Sequence, residues 1–127
     1  MLFRSPDWPE GLRAYIADVR AGRGESGKPY SARYVCSLVA DFHRTLLQGG
    51  WAGNPRPHLR LVYEANPVAF LAEEAGGAGS TGAGRVLDVE PAELHQRTPL
   101  FAGSSADIAE LESYGDVQQL SNPGYKI

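Results

Sequence analysis

Two places in the sequence carry residue types able to do chemistry together. Glu64 follows the segment 59–63, where Leu59, Leu61 and Tyr63 alternate with Arg60 and Val62, and it precedes Asn66 and Pro67, which begin a run at helical spacing. That pattern is the end of a strand feeding a helix, the edge at which open α/β sheets place ligands. A carboxylate there can join the oxygen shell of a hard cation such as magnesium, which takes one or two carboxylates together with phosphate oxygens. A solvated acid at an element end is the other reading of Glu64. Arg33 and Tyr34 open a second stretch of helical spacing that starts at Ser31. The free N–H groups and positive dipole end of a helix start favour a phosphate, which an arginine grips through two parallel hydrogen bonds. An exposed arginine beside a half-buried tyrosine is the alternative.

The remaining reactive types give less. His43, His58 and His95 match no metal-ligand spacing. Cys36, placed one turn into the helix expected from Ser31, fits a small apolar residue better than a reactive thiolate. Gly76, Gly77, Gly79, Gly82 and Gly84 follow neither nucleotide-binding glycine pattern and serve to turn the chain. Basic and aromatic residues do not interleave on one element, so no nucleic-acid partner is expected.

The elements that must position these residues follow from spacing. Asp7 is set to cap a helix over 9–21, with Pro9 in its first turn and Leu12, Tyr15, Ile16 and Val19 on one face. After a glycine-rich polar linker, a helix from Ser31 to Gly49 carries Val35, Val39, Phe42 and Leu46 as its apolar stripe. The segment 50–58, with Pro55 and Pro57, reads as a turn, and 59–63 as a strand. Asn66 caps a third helix whose buried face is Val68, Leu71, Ala72 and Ala75. Strands are expected over 85–89 and 99–102, and Ser105 caps a last helix over 106–113. Helices interleaved with strands define an α/β domain over 1–114, followed by a tail over 115–127 with little core material.

The 127 residues suit one domain. A composition 43% hydrophobic and 21% charged, with net charge -3, is that of a soluble protein without a surplus of cations for nucleic acid or anionic membrane. No apolar run approaches membrane-spanning length, and one cysteine allows no intrachain disulfide, so a cytoplasmic setting without export or anchoring is expected.

Read as strings, YSARYVCSLVADFHRTLL (30–47), LRLVYEANPVAFLAEEAGG (59–77), STG (80–82), VLDV (86–89) and HQR (95–97) resemble successive segments of class I fructose-1,6-bisphosphatase. The likeness runs in order from about Asp7 to Tyr114 and covers only the latter part of that family's chain. It implies a layered α/β/α domain with a mixed sheet covered by helices. The activity implied is hydrolysis of the 1-phosphate of fructose 1,6-bisphosphate with Mg2+, in gluconeogenesis.

By the same resemblance, Arg33 matches an arginine that crosses a subunit interface to the sugar 6-phosphate, and Tyr34 a tyrosine on that phosphate. Leu38 stands where a methionine touches the sugar, and Glu64 matches a metal-binding glutamate. The connection 50–59 is shorter than the family's, and His58 stands where a lysine would hold the 6-phosphate. Cys36 replaces a glycine. The family's other metal ligands belong to its N-terminal half, so turnover is expected to need a partner chain supplying that half, and a homo-oligomer is expected because Arg33 would serve a neighbour. A sugar-phosphate-binding module without hydrolysis, or a degenerate remnant, is the alternative.

Overall fold

Residues 7–119 are described by the computed structural model of the chain. Helix α1 (Glu10–Arg20) forms where apolar spacing places it and buries Leu12, Tyr15 and Val19. Its N-cap is Pro9 without a side-chain cap, so Asp7 does not play the capping part expected of it. The loop that follows is tied down. The Glu25 N–H donates to the Glu110 carboxylate at 2.8 Å, the Tyr30 N–H to the Val19 carbonyl at 2.8 Å, and the Tyr30 hydroxyl to Asp107 at 2.5 Å.

Helix α2 (Leu38–Gln48) starts seven residues later than expected. Ser37 is its N-cap, and the Ser37 hydroxyl accepts from the Ala40 N–H at 3.5 Å. Cys36 sits at φ 63, in the left-handed region that no α-helix continues through, which separates 31–36 from the helix as a non-helical strap. The helix also turns another face inward: Asp41, Phe42 and Thr45 are buried, whereas Val39 and Leu46, expected in the buried stripe, are exposed. Gly49 ends it at φ 83.

Strand β1 (Trp51–Arg60) occupies the segment read as a turn. Its register on its neighbour breaks between Asn54 and Leu59, and the prolines, which have no N–H for a ladder, fall in that break on an edge strand. The Pro55 carbonyl accepts from the Gln119 N–H at 2.7 Å. In place of the strand expected over 59–63, the chain passes into a π-helical turn, Leu61–Ala65, and straight on into α3 (Asn66–Glu74). Glu64 makes that turn possible by accepting from the Arg60 N–H at 3.0 Å. Ala69 and Ala72 form the buried side of α3, while Leu71 is exposed.

Strand β2 (Ala78–Ser80) falls in the small-residue run, and β3 (Arg97–Gly103) extends the strand expected there. A Cβ on Gly79 would stand 2.6 Å from the Ala69 Cβ, so glycine lets α3 lie directly on β2. The strand expected over 85–89 is a short 3₁₀ turn, Val86–Asp88, with a single bridge from Arg85 to Ser80. Arg85 is held there by Glu73 at 2.7 and 2.8 Å and by Asp88 at 2.7 Å. Helix α4 (Ser105–Ser113) closes the domain; its N-cap position is Ser104 rather than Ser105, without a side-chain cap.

The described strands form one sheet in the order β1-β3-β2, antiparallel at both pairings where a mixed sheet was expected. Successive side chains of β3 point to opposite faces. Phe101 joins Leu12, Tyr15, Val19, Ile108 and Leu111 on one side, and Leu100 and Ala102 join Phe42, Leu61, Ala65, Ala69 and Ala72 on the other. The result is the layered α/β arrangement, with α1 and α4 over one face and α2 and α3 over the other. Val117, in the segment read as a tail, lies in the first of these clusters at 1% exposure.

Candidate functional site

The strap 31–36 and helix α2 face strand β1 across an open pocket of about 600 Å³. Arg33, Tyr34, Leu38 and His58 all line it, together with Arg44 and Arg56. Four of the five residues singled out from the sequence therefore converge on one cavity, although 25 positions separate Arg33 from His58. Glu64 is not among the lining residues. The wall carries four arginines, counting Arg20, against Asp41 and Asp107, an excess of positive charge suited to an anion.

Each side chain has its own surroundings. Among the described residues the exposed Arg33 guanidinium makes no hydrogen bond or ion pair, so its donors are available to a ligand. Tyr34 is 46% exposed, and its hydrogen bond with Cys36, together with partial desolvation, pushes its hydroxyl up to about 12. It is therefore a neutral donor throughout the physiological range. The His58 Nδ1 is buried without a hydrogen-bond partner among the described groups. Burial first, then the nearby charges of Arg56, Arg97 and Arg60, hold the His58 ring below its ordinary value of 6.5.

Glu64 is half-buried at the π-helical turn. Its Oε1 accepts the Arg60 N–H and lies 3.7 Å from the Arg60 guanidinium. Among the described residues no group of three or more His, Cys, Asp or Glu side chains is placed to hold a metal ion. With its one carboxylate engaged by its own helix start and no such cluster among the described residues to complete an octahedron, Glu64 does not by itself fit a magnesium site.

The placement of Arg33 and Tyr34 on a strap corrects the helix-start expectation: an irregular segment, not a helix dipole, presents them. Sequence reasoning did not single out Asp41, Arg44 and Arg56. Asp41 and Arg44 stand three apart, an i,i+3 ion-pair spacing on α2 that could have drawn attention to them. Arg56 had no such signal, because the segment around it did not read as a strand.

A layered α/β domain with a cationic pocket between an edge strand and a helix-borne strap is the class that fold and site define. The family model described as "Fructose-1-6-bisphosphatase, C-terminal domain" matches residues 3–116, and the chain belongs to that family. It is 54% identical over 113 residues to the chloroplastic fructose-1,6-bisphosphatase of Brassica napus, covering 84% of this chain and 27% of that protein. With the class 1 enzyme of Chloroherpeton thalassium it shares 50% identity over 111 residues, covering 83% of this chain and 32% of the relative. The crystal structure of Leishmania major fructose-1,6-bisphosphatase in holo form superposes with a TM-score of 0.77 at 37% identity, covering 86% of this chain and 35% of the other. The chain thus spans about a quarter to a third of the length of these relatives. Among the described residues no helix is long and apolar enough to cross a membrane.

Proposed function

We propose that this chain is the part of a fructose-1,6-bisphosphatase that holds the 6-phosphate end of the sugar bisphosphate, while hydrolysis of the 1-phosphate takes place on groups supplied largely by an N-terminal half. The observation that carries this reading is the convergence of Arg33, Tyr34, Leu38 and His58 on one cationic pocket, with the Arg33 guanidinium unengaged. Arg33 binds the phosphate through paired N–H donors, Tyr34 donates its hydroxyl, His58 contributes a ring N–H, and Leu38 packs against the sugar. Holding the far phosphate fixes the reacting end relative to the catalytic groups, so binding energy from a remote site lowers the barrier.

The metal dependence proposed for the reaction, with Mg2+ as cofactor, requires carboxylates beyond Glu64. Glu64 is proposed as one ligand of a site that the N-terminal half completes. The proposed partners are fructose 1,6-bisphosphate, that N-terminal half and, from the family resemblance, a second copy of the chain; neither nucleic acid nor membrane is proposed. The setting proposed is cytoplasmic carbohydrate metabolism, gluconeogenesis in particular, with the lone Cys36 favouring a reducing compartment. The lack of an acidic cluster among the described residues favours one second reading, a sugar-phosphate-binding module without turnover.

Phosphate release from fructose 1,6-bisphosphate with magnesium separates these readings, measured on the chain alone and after addition of the N-terminal half of the Chloroherpeton thalassium enzyme. Release only after complementation, and its loss in Glu64→Gln, is the expected result. Release by the chain alone overturns the need for a second half. No release in either case, with binding of fructose 6-phosphate retained, establishes the binding module.

A further inference from the structure

The strap that carries Arg33 and Tyr34 has no secondary structure of its own, so something else must hold it against the pocket. It is anchored upstream at Tyr30, through the Val19 carbonyl and the Asp107 carboxylate, and downstream at the Ser37 cap. Between those anchors, apart from the contact of Tyr34 with Cys36, two hydrogen bonds fix it among the described residues. The Val35 N–H donates to the Asp41 Oδ1 at 3.2 Å, and the Arg44 Nη1 donates to the Arg33 carbonyl. Both converge on one acid, because the same Arg44 nitrogen lies 3.0 Å from the same Asp41 oxygen. Asp41 is 5% exposed, so its charge is neutralised by Arg44 rather than by water.

This arrangement brackets Tyr34, with the backbone of the residue before it held by Arg44 and that of the residue after it held by Asp41. Arg33 then projects from a carbonyl that Arg44 fixes, and its own side chain stays unengaged. Resting on the phosphate-pocket reading above, we infer that Asp41, acting with Arg44, is a positioning residue that clamps the strap so that Arg33 and Tyr34 meet the ligand already in place. Neither group needs to touch the ligand. What the clamp supplies is order, since a free strap would lose backbone freedom on binding and weaken the affinity by that amount.

The test uses the full 127-residue chain and fructose 6-phosphate as the probe. Binding is measured by calorimetry for the wild type, Asp41→Asn and Arg44→Lys, with hydrogen exchange at the Val35 amide as the second readout. Asp41→Asn keeps the shape but removes the charge that holds Arg44, and a weakening of about tenfold is expected from the loss of one charge-assisted bond to the strap. Arg44→Lys keeps the charge on a shorter side chain whose ammonium lacks the reach and fixed geometry by which Nη1 bridges both partners, and about threefold is expected on the same basis. Val35 exchanges faster in Asp41→Asn while the amides of β3 keep their protection, a pattern that general destabilisation would not give. Equal binding by the wild type and both variants, or a Val35 amide unchanged in Asp41→Asn, overturns the clamp and leaves the pocket reading standing. No binding by the wild type overturns the pocket reading and the clamp with it.

Discussion

The two sides of β3 are built differently. On one side Phe101 meets α1 and α4 in a closed aromatic cluster, with ring centroids 5.8 Å apart for Trp51 and Phe101, 5.9 Å for Tyr15 and Trp51, and 5.4 Å for Tyr15 and Tyr114. On the other side α2 buries Phe42 and Thr45 with Asp41 and half-buries Leu38, leaves Val39 at 77% and Leu47 at 72% exposure, and joins a strap held by an ion pair rather than by packing. The closed side makes a rigid scaffold and the open side makes a site. The edge of the sheet belongs to both, since Trp51 packs into the closed cluster while His58 and Arg56 of the same strand face the pocket.

The largest expected effect follows from that contrast. Phe101→Ala removes a fully buried ring and should destabilise the chain by about 3–5 kcal/mol, read from the denaturant midpoint. Val39→Ala on the open face should change it by under about 0.5 kcal/mol. A comparable loss at Val39 would mean that α2 is covered in solution, and the contrast between the two sides would break.

Much of the closed side was legible in the sequence, and little of the open side. The spacing of Leu12, Tyr15 and Val19 predicts α1 because burial of one helical face dictates it, and the apolar run at 99–102 predicts β3 because that strand is buried on both faces. At 31–37 the same apolar spacing misleads. Val35 and Val39 continue the helical period but are left outside, since the Asp41 side chain takes the Val35 N–H and Cys36 turns the chain at a positive φ. Strand β1 was hidden by its prolines, which an edge strand tolerates at a register break, and the π-helical turn at Glu64 looked like the end of a strand because a carboxylate reaching back to Arg60 leaves no trace in hydrophobic spacing. Arg33, Tyr34 and Glu64 were legible as candidates from residue type and position, Leu38 and His58 only through the family resemblance, and the structure brings four of the five together while keeping Glu64 apart from the pocket lining.

A smaller effect sharpens the comparison at the strap. Cys36 holds a left-handed conformation that costs a non-glycine residue about 1 kcal/mol, so Cys36→Gly should stabilise the chain by somewhat less than that, glycine also raising the entropy of the unfolded chain. The same change removes the thiol that helps to hold the Tyr34 hydroxyl up. The Tyr34 hydroxyl should then titrate lower than about 12, seen as earlier phenolate absorbance in an alkaline titration. Greater stability with an unmoved tyrosine would separate the backbone strain from the side-chain contact.

The smallest expected effect tests where the two sides meet, at His58. In the unfolded chain its ring titrates near 6.5, whereas burial and three arginines lower it in the folded state, with only Glu64 pulling the other way. Between the folded value and 6.5 the unfolded chain binds more protons, so stability is fully present above 6.5 and is lost as pH falls through that window. The denaturant midpoint should therefore decline on acidification below 6.5, and His58→Gln should remove that part of the decline. A bound phosphate acts in the opposite direction, because its negative charge favours the protonated ring and offsets the arginines around it. Adding fructose 6-phosphate should move the His58 ring titration upward in an NMR experiment. If the midpoint behaves as expected and the titration does not move, His58 belongs to the scaffold and not to the pocket's grip on the phosphate.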